Sequence, residues 1–189
     1  MAIEEPKFEL LEKDGAFELR RYAPMIVAET FVEGSLGEGS SAGFRAIAGY
    51  IFGANRSRNA DSNEKIAMTV PVTMDTSAAK IAMTAPVTTE RADGRWRMHF
   101  VMPAQYTMDT LPVPTDPAVK LREVGAQRIA VRVFSGFVTD DRVRQETVAV
   151  LDWMKQRGLE AAAPPQLARY NPPWSIPFLR RNEMLVPVR

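Results

Sequence analysis

The sequence has 189 residues, of which 46% are hydrophobic and 25% are charged, a composition typical of a soluble globular protein with one full core. Its 24 lysines and arginines are balanced by 23 aspartates and glutamates, which argues against nucleic-acid binding. It contains no cysteine, which excludes disulfides, thiolate metal sites and cysteine nucleophiles. The first residues lack an apolar signal region, and no apolar stretch of about eighteen residues occurs. We therefore expect a cytoplasmic protein that does not insert into membranes, and we expect it to be a monomer.

The first fifty residues predict a strand meander followed by a helix. Three β-favouring runs are separated by turn-forming pairs and lie at 8–11, 17–22 and 25–32. After a glycine-rich break, apolar residues recur at the spacing of one helix face, and these are Phe44, Ile47, Ala48 and Ile51. We therefore predict a helix at about 40–52, with Ser40 or Ser41 as its N-cap and Gly53 just after its end.

One apolar phrase occurs twice, first as KIAMTVPVTM and then as KIAMTAPVTT, with five residues between the copies. In each copy apolar residues alternate with small or polar ones, which is the period of a half-buried strand. We predict that 65–73 and 80–88 are antiparallel neighbours in a hairpin, with Met68 and Met83 on the same side of the pair. Each copy also contains a proline, which favours a strand edge, a bulge or a strand end.

The rest of the chain repeats the element order of the first half. A proline-rich crossover at 106–117 precedes a helix at about 140–157, whose acidic start and basic end suit the helix dipole. Further strands are predicted at 96–102, 119–124, 129–137, 167–170 and 182–188. We therefore predict a single domain over 1–189, with halves at about 1–105 and 118–189.

Several short motifs occur in a characteristic order along the chain. They are Tyr50-Ile-Phe-Gly, Lys65-Ile-Ala-Met-Thr, Phe100-Val-Met-Pro, Leu111-Pro-Val-Pro, Phe134-Ser-Gly, Arg169-Tyr-Asn-Pro-Pro-Trp and Phe178-Leu-Arg-Arg-Asn-Glu. In these motifs the sequence resembles the SOUL heme-binding protein family over nearly its whole length, and the doubled phrase resembles the bacterial form of that family. The resemblance implies an α+β fold, a distorted antiparallel β-barrel of two pseudo-repeated halves, each with one flanking helix. The fold is similar to the effector-binding domains of some bacterial transcription regulators, so fold alone does not identify the ligand.

The resemblance also implies a non-covalent heme site in an apolar cleft beside the first helix. Phe44 and Ala48 fall where the family places apolar contacts, whereas Ser41 and Gly49 replace basic residues of animal members. Arg45 is the one basic residue on this helix, so it is either the partner for the heme propionates or a solvated residue of the outer helix face. The predicted cofactor-binding set is Phe44, Arg45, Ile47, Ala48, Ile51, Met68 and Met83.

The candidates for an axial iron ligand are few. His99 is the single histidine, and it alternates with Met98 and Phe100, so the parity of the strand points it away from the core. We therefore predict a surface or rim histidine. Met68, Met83 and Met102 and the four tyrosines are open alternatives, so the metal ligand is not assigned from the sequence.

Three functional hypotheses follow. The first is a heme or tetrapyrrole buffer or carrier, and the second is a small-molecule binding module of the same fold that does not prefer heme. The third, an enzyme that acts on a bound tetrapyrrole, has the least support because the sequence offers no identifiable set of catalytic acids, bases or metal ligands. The neighbouring Arg180 and Arg181 allow either a ligand clamp or an ion pair with Glu183, and the ion pair is the commoner outcome.

Overall fold

A computed structural model of the chain describes residues 4–33, 36–57, 87–92, 95–171 and 175–189. In these ranges the helices are α1 (Leu36–Phe52) and α2 (Asp140–Gln156), with one 3-10 turn at Pro177–Leu179. The strands are β1 (Phe8–Asp14), β2 (Phe17–Tyr22), β3 (Met25–Val32), β4 (Asn55–Arg56), β5 (Val87–Ala92), β6 (Arg95–Val101), β7 (Val113–Pro114), β8 (Lys120–Val124), β9 (Gln127–Phe134), β10 (Gln166–Arg169) and β11 (Asn182–Val188).

Nine of these strands form one curled antiparallel sheet in the order β1-β2-β9-β11-β10-β5-β6-β3-β8, and β4 pairs separately with β7. Strands that are far apart in sequence are neighbours in this sheet, since β2 pairs with β9 and β5 pairs with β10. The predicted α+β, barrel-like fold with two helices is therefore confirmed. The division into halves and the single-domain prediction stay predictions.

The ends of α2 follow the signals that the sequence carries. The Thr139 hydroxyl accepts a hydrogen bond from the Arg142 backbone N–H at 3.2 Å, and Asp140 and Asp141 occupy the first turn. Gly158 follows the helix with φ of 66°, a conformation that glycine adopts without strain. The start at Asp140 was predicted, and the helix ends one residue before the predicted boundary.

Helical spacing groups Leu151 with Val150 and Met154, but the buried face of α2 does not include it. Leu151 is exposed, whereas Trp153 is buried and its ring stacks on Phe17 at 5.6 Å between centroids. Glu146 is also buried, because its carboxylate accepts hydrogen bonds from Arg132 on β9 and forms an ion pair with Arg142, each at 2.8 Å. The spacing of apolar residues alone does not predict that a charged residue such as Glu146 is buried, because its burial depends on arginine partners.

The first helix begins earlier than predicted, at Leu36 instead of about residue 40. The predicted caps Ser40 and Ser41 therefore lie inside α1. From Leu36 onward the glycine-rich stretch that suggested a break is helical, since intrinsic propensity is only a weak prior. The other boundary agrees with the prediction, because Gly53 follows the helix with φ of 129°.

Both helices pack on the same face of the sheet, which we call the helix-covered face. α1 lies against β3 and β6, and α2 lies against β9 and β11. The α1 core contains Ala28, Ile47, Tyr50, Ile51, Met98, Phe100, Met102, Leu111 and Val119. The α2 core contains Leu19, Ala130, Phe134, Val150, Trp153, Met154, Leu167, Met184, Val186 and Val188. Trp96 of β6 packs against the α2 core, so the apolar layer runs across the sheet under both helices.

The doubled phrase lies almost wholly outside the described residues. Its predicted hairpin, including Met68 and Met83, falls in the range 58–86. Only the last residues of the second copy are described, and Val87 opens β5. The predicted pairing of 65–73 with 80–88 therefore stays a prediction.

Candidate functional site

The predicted site residues on α1 separate into two groups. Ile47 and Ile51 are 0% and 1% exposed and belong to the core between the helix and the sheet. Phe44 is 42% exposed, Ala48 is half-buried and Arg45 is exposed. A ligand on the outside of the helix can touch the second group directly, whereas Ile47 and Ile51 support the helix from beneath.

Phe44, Arg45, Ala48 and Phe52 share one side of α1, which we call the α1 flank. The 100° step between helical residues places all four within about a third of a turn of one another. Phe52 is 57% exposed and was not predicted, although its spacing of i+8 from Phe44 would have found it. The Phe44 ring leans on Phe100 of β6 at 5.9 Å between centroids, so one edge of the flank is fixed to the sheet.

Arg45 supplies the positive charge of the α1 flank. Within the described parts of the chain its guanidinium makes no hydrogen bond and no ion pair. Arginine is a planar donor that binds carboxylates through two parallel hydrogen bonds. The flank therefore combines exposed aromatic surface with a free donor for an anionic group.

The C-terminal end of α1 is tied to the crossover. The Tyr50 hydroxyl donates a hydrogen bond to the Pro112 carbonyl at 2.8 Å, and Asn55 donates to the Tyr50 carbonyl at 2.8 Å. The backbone N–H of Ala54 donates to the Gly49 carbonyl at 2.8 Å. Two of the sequence motifs, those that contain Tyr50 and Pro112, thus meet in space and hold the flank in place.

His99 points to the sheet face opposite the helices, as its parity predicted, but it is not on the surface. The imidazole is half-buried, and its Nδ1 is shielded from solvent without a hydrogen-bond partner. Burial, together with the charges of Arg122 and Arg97, lowers the pKa of His99 to about 3. The half-buried position is compatible with the predicted rim histidine, and the imidazole is a neutral group that the curled sheet partly encloses.

The tyrosines that were open as iron ligands are mostly engaged. Tyr22 accepts a hydrogen bond from Arg20 at 3.0 Å, and Tyr170 donates to Glu183 at 2.7 Å. Burial raises the pKa of both hydroxyls. Within the described ranges, no group of three or more histidine, aspartate or glutamate side chains is arranged to hold a metal ion.

The arginine pair near the C-terminus is part of the structure and does not form a free clamp. Arg181 forms an ion pair with Glu183 at 2.8 Å, as the sequence favoured. Arg180 donates to the Ser175 carbonyl at 2.9 Å and lies over the Phe137 ring.

No helix in the described parts of the chain is long and apolar enough to span a membrane.

A cavity lies where several strands end, and we call it the strand-end cleft. It has a volume of about 610 Å³, within the range of roughly 300–1,000 Å³ that is usual for small-molecule sites. Four segments form its walls. They are the N-terminal segment at 4–7, the β2–β3 turn with the start of β3, the end of β6 with the residues that follow it, and the end of β8. Its apolar lining includes Met25, Met102 and Tyr106.

The model of the SOUL heme-binding protein family matches residues 3–187. The chain belongs to this family. The match confirms the resemblance that the motifs carried, and it covers both helices and the whole nine-stranded sheet of this SOUL protein. A search of curated proteins finds no significant match.

Solved structures share the fold at low sequence identity. A hydrolase from Listeria innocua superposes with a TM-score of 0.61 at 14% identity, covering 95% of this chain and 94% of that chain. The C-terminal domain of EcmrR superposes with a TM-score of 0.60 at 11% identity, covering 92% of this chain and 96% of that chain. These likenesses establish the architecture of the SOUL protein and leave its ligand to its own side chains.

The two candidate places differ in how well they fit heme. The α1 flank offers exposed rings and the unpaired Arg45, which suit a flat apolar ring system with carboxylates. The mouth of the strand-end cleft carries three carboxylates, those of Glu4, Glu5 and Glu123, against the single ammonium of Lys7. Propionates would meet like charge there, so among the described residues the chemistry of the α1 flank matches heme better than that of the cleft.

Proposed function

We propose that this SOUL protein binds heme or another tetrapyrrole non-covalently on the α1 flank and acts as a cytoplasmic buffer or carrier without catalysing a reaction. The observation that carries the proposal is the exposure of Phe44 and Phe52 beside Arg45, which has no ion-pair partner among the described residues. Solvent-exposed aromatic side chains on one side of a helix are typical of a binding surface. The family match supports the same class of ligand.

Each predicted site residue has a role in this proposal. Phe44 and Ala48 contact the apolar ring system, and Arg45 binds a propionate through charge-assisted hydrogen bonds. Ile47 and Ile51 hold the helix on the sheet and keep the flank rigid. Met68 and Met83 complete the predicted set, but they lie outside the described residues.

Burial is the main source of affinity in this proposal. Apolar surface removed from water contributes about 25 cal/mol per Å², although ordering and desolvation offset much of this gain. His99 lies on the opposite face of the sheet from α1, so it takes no part in holding iron. Metal-free protoporphyrin is therefore expected to bind about as tightly as hemin.

The test is a titration of the purified protein with hemin and with metal-free protoporphyrin, followed by absorbance and by quenching of tryptophan fluorescence. Phe44→Asp places a charge in the apolar contact and is expected to abolish binding of both ligands. Val148→Asp is the matched control, because Val148 is also an exposed apolar residue, 57% exposed, but lies on α2. Circular dichroism of both variants verifies the fold.

The outcomes discriminate clearly. Loss of both ligands in Phe44→Asp but not in Val148→Asp supports the flank, and His99→Ala is expected to leave the hemin spectrum nearly unchanged. Equal binding by wild type and Phe44→Asp rejects the flank as the site. Loss of the hemin spectrum in His99→Ala, with protoporphyrin binding intact, would identify His99 as the iron ligand instead.

The second candidate function is a binding module of the same fold that does not prefer heme. The specific observation in its favour is that Ser41 and Gly49 stand where animal members carry basic residues, which leaves Arg45 as the one cation of the helix. Titration with apolar ligands that lack carboxylates separates the two functions. Tighter binding of such ligands than of either porphyrin, at the same Phe44-dependent site, favours the second candidate.

A further inference from the structure

The strand-end cleft has an apolar interior and an acidic rim. Met102 is buried, Met25, Tyr106 and Met108 are half-buried, and all four side chains line the cavity. Methionine sulfurs are polarizable and adapt to ligands of different shape, and a tyrosine ring attracts cations to its face. This lining suits an organic molecule with an apolar body and a positive charge.

The rim has more acid than base. Glu123 is exposed at the end of β8 and makes no hydrogen bond or ion pair with the described residues. Glu4 accepts a hydrogen bond from the Ala104 backbone N–H at 3.0 Å, which fixes its carboxylate without neutralising it. Glu5 is neutralised by Arg181 at 3.0 Å, and Lys7 is the one cation among the described residues of the lining. Two unneutralised carboxylates thus face one ammonium.

The walls of the cleft are held by hydrogen bonds, so the cavity is largely formed before a ligand arrives. The Met102 N–H donates to the Ile26 carbonyl at 2.7 Å, which joins the end of β6 to β3. The Ala23 N–H donates to the Lys7 carbonyl at 3.3 Å and closes the N-terminal side. A preformed cavity binds with a smaller entropic cost than one that must be ordered by its ligand.

We propose that the strand-end cleft is a second ligand site, which takes an apolar organic monocation such as an amine with an aromatic body. The ammonium sits at the rim beside Glu123 and Glu4, and the apolar body fills the space between Met25, Met102 and Tyr106. The lining contains no residue of α1, so this site is separate from the α1 flank. It therefore does not depend on the proposed tetrapyrrole function.

Three probes with the same apolar body and different charge test the proposal: 2-naphthylmethylamine, 2-naphthalenemethanol and 2-naphthoate. Isothermal titration calorimetry with the full chain is expected to give the affinity order amine, alcohol, carboxylate. Because the rim is solvent-exposed, each charged contact changes affinity by about three- to fivefold, and the preference shrinks in high salt. Equal affinities for the three probes, or tightest binding of the carboxylate, would overturn the proposal.

Reversal of the rim charge provides the sharpest variant. Glu123→Lys is expected to weaken the amine and strengthen the carboxylate, so that the order of the probes inverts. Glu160→Lys is the matched control, since Glu160 is exposed outside the cleft and makes only a loose pair with Arg189 at 3.7 Å. If both substitutions change the order alike, the effect is one of net charge and the cleft is not the site.

A further variant separates this site from the tetrapyrrole site. Phe44→Asp is expected to leave amine binding unchanged, whatever it does to hemin. Loss of amine binding in Phe44→Asp would place the amine on the α1 flank and overturn the second site. Failure of hemin to bind, with the amine order and its inversion by Glu123→Lys intact, would reject the tetrapyrrole function alone.

Discussion

The two faces of the curled sheet bury different kinds of side chain. The helix-covered face is mainly apolar, with one core under α1, another under α2, and the Glu146–Arg132 pair beside the second. The opposite face has a smaller apolar cluster, which contains Tyr22, Ile129, Val131, Ala168 and Leu185. Around that cluster, buried charged side chains occupy several strand positions of the same parity. Alternate residues along the strands are therefore mainly apolar on one face and a mixture of apolar and charged residues on the other.

The charges of the opposite face are arranged in two networks. In the first, Glu183 receives hydrogen bonds from Arg20, Arg181 and Tyr170, and Arg20 also pairs with Glu18 at 2.6 Å. In the second, Arg122 donates to Glu29 at 2.9 Å, and Arg97 pairs with Glu90, which also accepts from Gln166 at 2.9 Å. These side chains join strands that are far apart in sequence. The helix-covered face gains stability from burial of apolar area, and the opposite face depends on complete pairing.

The largest expected effect comes from breaking the first network. Glu183 is 0% exposed, and Glu183→Ala leaves Arg20 and the Tyr170 hydroxyl without their buried acceptor. Removal of one member of a buried ion pair costs about 3–5 kcal/mol, so we expect a loss of this size in the free energy of unfolding measured with urea. Glu9→Ala is the control, because Glu9 also pairs with an arginine, Arg21, at 2.7 Å but is exposed.

The control variant is expected to change stability by less than about 1 kcal/mol. Equal effects of Glu183→Ala and Glu9→Ala would show that the buried network contributes no more than a surface pair. The distinction between the two faces would then be one of composition only.

Much of the fold was predictable from the sequence, and the reasons are local. The bounds of β2, β3 and β11 agree with the predicted runs, because alternation and turn pairs mark a strand without knowledge of its neighbours. Two details were not predictable in that way. The start of α1 at Leu36 lies in a glycine-rich stretch that helix propensity alone assigns to a break, and the buried Glu146 depends on Arg132 from another strand.

The candidate site was only partly predictable. Helical spacing identified the candidate site residues on α1. It did not distinguish Ile47, which faces the sheet, from Phe44, which faces outward. Spacing also gave the parity of His99, but enclosure by a curled sheet is a property of nine strands together. The strand-end cleft brings together Glu4, Met25, Tyr106 and Glu123 from four separate segments. A pattern in one short segment of sequence cannot predict that these four residues line the same cavity.

The enclosed His99 predicts a pH dependence that belongs to the opposite face. It lies between Glu29 of β3 and Thr88 of β5, with Arg97 on its own strand and Arg122 on β8 nearby. Its pKa falls from 6.5 to about 3 on folding, so the unfolded chain binds the proton more readily. Stability is therefore fully present above pH 6.5 and is lost as the pH falls from 6.5 towards 3.

The expected slope is at most about 1.4 kcal/mol per pH unit, or about 2 kcal/mol between pH 6.5 and about pH 5. Urea unfolding of wild type and His99→Gln at these two values measures it, because His99 is the single histidine of the chain. The glutamine variant is expected to lose clearly less stability than wild type over this interval. Parallel losses in both proteins would mean that the imidazole is protonated freely in the folded state.

The smallest expected effect compares the two sides of α1. Gly43 is buried against β6, where an added Cβ would lie 3.0 Å from the Met98 sulfur and 3.3 Å from its Cβ. Gly49 has open space, since an added Cβ would come no nearer than 3.8 Å to the Cβ of Ala54. Replacement of glycine by alanine inside a helix gains about 0.5–1 kcal/mol from backbone entropy at either position.

The two substitutions should therefore differ in sign. Gly49→Ala keeps the entropic gain and is expected to raise the free energy of unfolding by about 0.5 kcal/mol. Gly43→Ala must displace Met98 within a packed core, a cost of about 1–3 kcal/mol that exceeds the gain. Thermal and urea unfolding of both variants check this. Stabilisation by both alanines would indicate that α1 lies farther from β6 than the contact at Gly43 implies, and the tight packing of the helix-covered face would have to be revised at this point.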